Sequence, residues 1–285
     1  MPDLPSPTVR LRRLGLHLRR LREQAGLTLD EASARMERSL SSLSKIENGR
    51  VRIPPRDLRV ILDAYGLEGR TREALLTLAR DARKRGWWQQ YGDALGPAYL
   101  DYISLEADAV AARTFETILV PGLLQTEDYA RQIIGAVPPV PGTSHDVDQF
   151  VTVRMARQQV LDRSEPLHLW AIIGEAALRH VIGDRQIMCA QLQRLKDVAV
   201  LDHITIQVLP FTAGTHAGVD GPFTILEFPE FGDLDVVHVG NLTGALYMEN
   251  EDEVRRYNLV YDYLRASALP PAESLTLIDQ AIEGM

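Results

Sequence analysis

The sequence predicts two domains of different class, an all-α five-helix helix-turn-helix bundle followed by a larger α+β domain. Three observations predict it. Residues 1–90 hold 19 Lys+Arg against 11 Asp+Glu, a net +8, whereas residues 91–285 hold 12 against 28, a net −16. In the basic part, apolar residues recur at the three- and four-residue spacings of amphipathic helices. Runs with strand character begin only at Leu167. We place a loose, proline-rich arm at 1–10, the helix-turn-helix domain at 11–85 and the α+β domain at 86–285. The 285 residues are 45% hydrophobic and 25% charged, enough for buried cores and too apolar for disorder throughout.

The first helix follows from Leu11, Leu14, Leu18 and Leu21, and Gly26 ends it. A short helix over 28–36 takes Thr28 as N-cap, with Asp30 and Glu31 where negative charge suits the helix dipole. The next, over 40–48, is capped by Ser39 and stopped by Gly49. Pro54-Pro55 opens a fourth that ends near Tyr65-Gly66. Thr71 is read as the cap of a fifth, which fades in Arg83-Lys84-Arg85. At Gly86-Trp87-Trp88 the charge balance changes sign, and the tryptophan pair is read as packing the two domains together. Helices are then expected over 97–112, 126–136 and 145–163, with the loop VPPVPGTSH after the second. Strands are expected over 167–173, 204–211, 222–228 and 234–239, with a helix over 185–201. The chain returns to helix over 251–266, after the Asn250 cap, and over 271–282.

Function is concentrated in TLDEASARMERSLSSLSKIEN, residues 28–48, which has the spacing of a helix-turn-helix. Two short helices crossing steeply need a small residue where they touch, and Ser33 stands there. Leu43 and Ile46 anchor the second helix, with Met36 facing them from the first. The second helix is then held out with its N-terminal residues free to enter a major groove. Its exposed face offers Leu40, Ser41, Ser44 and Lys45 to base edges, where serine and lysine can hydrogen-bond and leucine can pack on a thymine methyl. Ser39, Ser42, Asn48, Arg50 and, on the first helix, Arg22 are placed to grip phosphates, which sets register and affinity without reading sequence.

With LREQAGLTLDEASARM and SLSSLSKIENG on the page, residues 13–66 resemble the Xre/lambda-repressor-like helix-turn-helix family. The resemblance implies a five-helix bundle that binds operator DNA, usually as a dimer. It makes Leu40, Ser41 and Lys45 base readers and Ser39, Ser42, Asn48 and Arg50 phosphate contacts. Two positions depart from the family pattern. Glu37 stands where the family usually has a left-handed glycine, and Leu29 where it commonly has a phosphate-contacting glutamine. Further on, RGWWQQYGDAL, FETILVPGLLQTEDYAR, LHLWAIIGEAALRH, ITIQVLPFTAGTHAG, DGPFTILEFPE and NLTGALYMENEDEVRRY resemble the DUF5753 domain of actinobacterial regulators, Scr1-type, antitoxin-like and similar to WhiJ. That resemblance implies a small DUF397-type protein partner that modifies DNA binding.

Other chemistries find less support. The 213–221 loop sets His216 and Asp220 among glycines between two expected strands; it reads as a ligand-binding or acid-base loop, or as a hairpin connection whose glycines serve turn geometry. Glu175 and His180 are five apart, wrong for a shared zinc face, and His238 alternates with valines as a core histidine does. The single cysteine, Cys189, leaves no internal disulfide and no cysteine cluster for zinc, so no metal and no cofactor are expected. No phosphate-binding glycine loop or nucleophile elbow is found, and the chain is not expected to be an enzyme. With no run long enough for a membrane span and no apolar core of a secretory signal, the expected location is cytoplasmic, at the nucleoid when bound to DNA. The expectation is a homodimeric, sequence-specific transcription regulator on an inverted repeat, joined mainly through its C-terminal domain. A one-component regulator sensing a small molecule near the 213–221 loop is the alternative, and an enzyme fused to a DNA-binding anchor a more distant one.

Overall fold

The computed structural model describes residues 9–81, 87–91, 95–138, 146–228, 235–242 and 244–285. The chain divides into two compact units between Trp87 and Trp88. In the first unit lie α1 (Val9–Gln24), α2 (Leu29–Arg35), α3 (Leu40–Glu47), α4 (Pro55–Ala64) and α5 (Gly69–Asp81). Helix α1 begins inside the stretch read as an arm, of which residues 1–8 lie outside the described residues, as does the basic run 83–85. Thr71 caps nothing, because α5 already runs from Gly69. Leu14, Leu18, Leu43, Leu58, Ile61 and Leu75 form the centre of one apolar core.

The first four helices end in the same way, which is how so short a chain turns back on itself four times. In each, the N–H two residues beyond the cap returns to a carbonyl in the last turn: Leu27 to Arg22 (3.1 Å), Arg38 to Ser33 (2.9 Å), Arg50 to Lys45 (2.8 Å) and Leu67 to Leu62 (2.9 Å). These are Schellman closures, and each needs one residue in the left-handed region. Gly26, Gly49 and Gly66 supply it at three ends; at the second it is Glu37, at φ 51°.

The second unit is built on a six-stranded mixed sheet in the order β3-β2-β1-β4-β5-β6. The strands are β1 (Ala111–Glu116), β2 (His168–Gly174), β3 (Ile204–Leu209), β4 (Phe223–Glu227), β5 (Val236–Asn241) and β6 (Gly244–Met248). β1 runs parallel to β2, and β2 to β3, while β1–β4, β4–β5 and β5–β6 are antiparallel. Helices α6 (Pro97–Asp108), α7 (Glu127–Ala136), α8 (Val147–Arg157), α9 (Glu175–Arg179), α10 (Arg185–Val198), α11 (Glu251–Ser267) and α12 (Pro271–Glu283) complete the unit. Two strands were not expected. β1 stands where a helix was read to continue to residue 112, because EADAVAAR has helical composition while pairing on both sides decides for strand. β6 is a short edge strand whose pairing with β5 decides it.

Side chains alternate across the sheet. On one face Phe115, Ile172, Ile225 and Val237 pack with Tyr261 and Leu264 of α11. The other face buries Leu169, Ile173, Val208 and Leu226 and carries a polar cluster among them. Thr114 and Thr224 share a hydrogen bond (3.0 Å), the His238 ring lies 4.3 Å from that of Tyr102, and Arg157 pairs with Glu106 on both carboxylate oxygens (2.8 and 2.7 Å). Tyr102, Thr114, Glu116, Arg157 and Thr224 surround a cavity of about 30 Å³, room for one or two water molecules. Burial pushes the Glu116 carboxyl up to about 7, with Arg154 pulling the other way. Burial, helped by Arg157, holds His238 down to about 4.

Candidate nucleic-acid interface

Helix α2 is started by a complete capping box: Thr28 Oγ1 accepts from the Glu31 N–H (3.2 Å), and the Glu31 carboxylate accepts from the Thr28 N–H (2.8 Å). The Thr28 N–H and the Thr28 hydroxyl (2.8 Å) both donate to the Glu31 carboxylate and hold it below its ordinary value. Ser33 is buried and small, and Met36, Leu43 and Ile46 are buried. Leu29, in the place of the family's glutamine, packs against the core. Glu37 takes the left-handed turn that the family gives to glycine, which costs about 1 kcal/mol for a residue with a Cβ.

Helix α3 presents the expected face. Leu40, Ser41 and Lys45 are exposed, Leu40 at 43%. Ser44 is half-buried and tied to the helix end, because Asn48 Nδ2 donates to the Ser44 carbonyl (2.7 Å) and reaches its hydroxyl (3.3 Å). Ser39 Oγ accepts from the Ser42 N–H (3.2 Å), so it caps α3 from an exposed position, while Ser42 is half-buried. Arg50 is exposed just past the helix end.

Arg22 requires a correction. It is 8% exposed and forks onto Glu47 with Nε (2.8 Å) and Nη2 (3.0 Å), while Nη1 donates to the Leu27 carbonyl (2.8 Å). Its donors are spent inside the bundle, so it grips no phosphate. The bond to Glu47 raises the Arg22 pKa despite burial, and burial beside the same carboxylate pushes the Tyr65 phenol well up. The Tyr65 hydroxyl lies 3.4 Å from Glu47. Helices α1 and α3 touch there at Gly15, where an added Cβ would sit 2.5 Å from the Glu47 carbonyl oxygen. Neither the ion pair nor the glycine contact was legible in the sequence. The exposed cations nearby are instead Arg50, Arg52, Arg56 and Arg59, within an arginine run that was visible but assigned only at Arg50.

The loop candidates belong to the other unit. His216 is half-buried; its Nδ1 accepts from the Gly218 N–H (3.1 Å) and its ring meets Phe115 edge-on at 5.9 Å. Gly218 lies flush on Phe115, where an added Cβ would come within 2.3 Å of the ring. Asp220 is exposed and lines a cavity of about 350 Å³ with Phe223, Val239, Met248, Tyr257 and Val260; His216 is not in its wall.

A family model described as a helix-turn-helix domain matches residues 13–75, and one described as a domain of unknown function, DUF5753, matches residues 99–280. The chain belongs to the DUF5753 family. No curated protein and no solved structure matches it. The helix-turn-helix match spans α2 and α3, so it falls on the elements whose geometry is described above, and the DUF5753 match covers the whole mixed sheet. This DUF5753 chain is thus a helix-turn-helix DNA-binding regulator, and among the described residues no helix is long and apolar enough to cross a membrane.

Proposed function

We propose that this protein is a sequence-specific transcription regulator that binds an operator as a homodimer, with α3 in the major groove. The observation that carries the reading is the split character of α3. Leu43 and Ile46 are buried, and Leu40, Ser41 and Lys45 on the same helix are exposed. Leu40, Ser41 and Lys45, with a lesser part for the partly occupied Ser44, read bases. Ser39, Ser42 and Arg50 contact phosphates, with Asn48 contributing through the oxygen that its capping bonds leave open. One reader covers few base pairs against a genome of nonspecific sites, so two readers about 34 Å apart on an inverted repeat are required. The acidic second unit takes the signal. The family resemblance implies a small DUF397-type protein as that signal. The 350 Å³ cavity beside the 213–221 loop favours a second reading, a small-molecule trigger. The reading assigns the chain no catalysis.

Fluorescence-anisotropy titration against DNA from the gene's own upstream region tests this, at two salt concentrations, with and without the small partner. The reading expects a Kd of about 10⁻⁸ M or tighter that weakens steeply with salt. Binding that the partner loosens supports the protein signal, and binding indifferent to it favours the small molecule. Equal affinity for operator and scrambled DNA sinks sequence-specific recognition, and a monomer in sedimentation both free and on DNA sinks the dimer.

A further inference from the structure

The 350 Å³ cavity of the second unit has two ends of different chemistry. Its inner wall is Phe223, Val239, Met248, Tyr257 and Val260, with the Phe223 and Tyr257 rings edge-to-face at 4.9 Å. An apolar wall with two aromatic edges suits a flat hydrocarbon body. Its mouth carries Asp220 from the loop, and Glu253 and Arg256 from α11. All three charged side chains are exposed, and among the described residues none makes an ion pair. Two carboxylates against one guanidinium leave the mouth net negative, within a region of the chain that is itself net −16. Such a mouth draws cations and repels anions.

We propose that this cavity is a binding site for an amphipathic small molecule with a ring-sized apolar body and a cationic amine head. The body inserts between β5, β6 and α11, and the ammonium sits at the mouth between Asp220 and Glu253. Bound there, the ligand contacts both the 213–221 loop and α11, elements of separate sequence that line the same cavity. This gives the small-molecule trigger of the preceding section its ligand class and rests on that reading only for its regulatory consequence; the binding site stands by itself.

The test uses one apolar body with three heads. Calorimetric titration of the full-length protein with 2-phenylethylamine, 2-phenylethanol and 3-phenylpropionate should rank them amine, alcohol, carboxylate, with the amine at least about tenfold tighter than the carboxylate. The double substitution Asp220→Asn and Glu253→Gln changes only exposed side chains. It should bring the amine to within about threefold of the alcohol while leaving the thermal melt unchanged. Val260→Trp, which fills the cavity, should abolish binding of all three. A carboxylate that binds as well as the amine overturns the proposal. So does an amine affinity that survives the double substitution, or no binding of any probe at millimolar concentration. Anisotropy with operator DNA is a separate readout. Amine binding that leaves DNA affinity unchanged keeps the site and removes its role as trigger, and absence of operator binding by the unliganded protein sinks the regulator without touching the site.

Discussion

Arg22–Glu47 in the first unit and Arg157–Glu106 in the second are one chemical device in two settings. Both are bidentate arginine–glutamate forks, and both have a tyrosine hydroxyl close by. Arg22 keeps one donor for the Leu27 carbonyl at the end of α1, so its fork also fastens a helix terminus. Arg157 is buried and held by several groups. Glu106 is 1% exposed, Tyr99 accepts from Nη1 (2.8 Å), and the Tyr102 ring lies under the guanidinium at 4.9 Å. The difference teaches that an arginine in a basic domain is no surer to face phosphate than one in an acidic domain. What decides is whether a carboxylate far away in sequence is folded against it.

Breaking each fork measures that difference. Glu106→Ala leaves the buried Arg157 guanidinium without its carboxylate and should lower the stability of the second unit by about 3–5 kcal/mol, read by chemical denaturation. Glu47→Ala should lower that of the helix-turn-helix unit by about 3 kcal/mol, because Glu47 is less deeply buried than Glu106, 8% exposed against 1%. The double change Arg22→Met and Glu47→Leu should recover most of that loss, since the apolar pair removes the stranded charge. If Glu47→Ala leaves the melt unchanged and weakens only DNA binding, Arg22 is a phosphate contact after all.

The contrast between buried Arg22 and the exposed cations sharpens on DNA. Lys45→Ala should cost about 1–3 kcal/mol of operator affinity and relax specificity, whereas Arg50→Ala should weaken all sequences alike and reduce the salt slope by about one. Anisotropy on operator and scrambled DNA separates the two, and identical behaviour of the variants contradicts the assignment.

Of the two units, the second carries a carboxyl that titrates near neutrality. Glu116 is raised from 4.5 to about 7, so between those values the folded chain holds a proton that the unfolded chain has released. Stability from this group therefore falls as pH rises from 4.5 through 7. Glu116→Gln should remove the fall, gaining on the order of 3 kcal/mol at pH 8 relative to pH 4.5. His238 works in the opposite sense, with stability lost as pH drops from 6.5 towards 4, so the readout is the difference between variant and parent melts across pH. A difference that does not change with pH contradicts the burial of Glu116.

The smallest effect compares the Glu37 turn with the Gly49 turn, identical closures with different residues. Glu37→Gly should stabilise the first unit by about 1 kcal/mol in thermal denaturation, whereas Gly49→Glu should destabilise it by a similar amount. Equal melts for Glu37→Gly and the parent would mean that the glutamate pays nothing for its conformation.

Sequence by itself determined the starts and stops of the first unit. Thr28, Ser39, Gly26, Gly49 and Pro55 act on backbone groups within a few residues of themselves, so their meaning travels with the local chain. The exposed face of α3 was legible for the same reason, since helical periodicity sorts Leu43 and Ile46 from Leu40, Ser41 and Lys45. Tertiary structure alone decided that Arg22 faces Glu47, that Gly15 admits the end of α3, and that the alanine-rich run at 111–116 is a strand at the heart of a sheet. It also decided that the 213–221 loop closes one side of a cavity whose other wall is α11. Each of these depends on partners that chain folding brings from far away. A pattern within one segment carries no record of which distant carbonyl, carboxylate or strand will complete it.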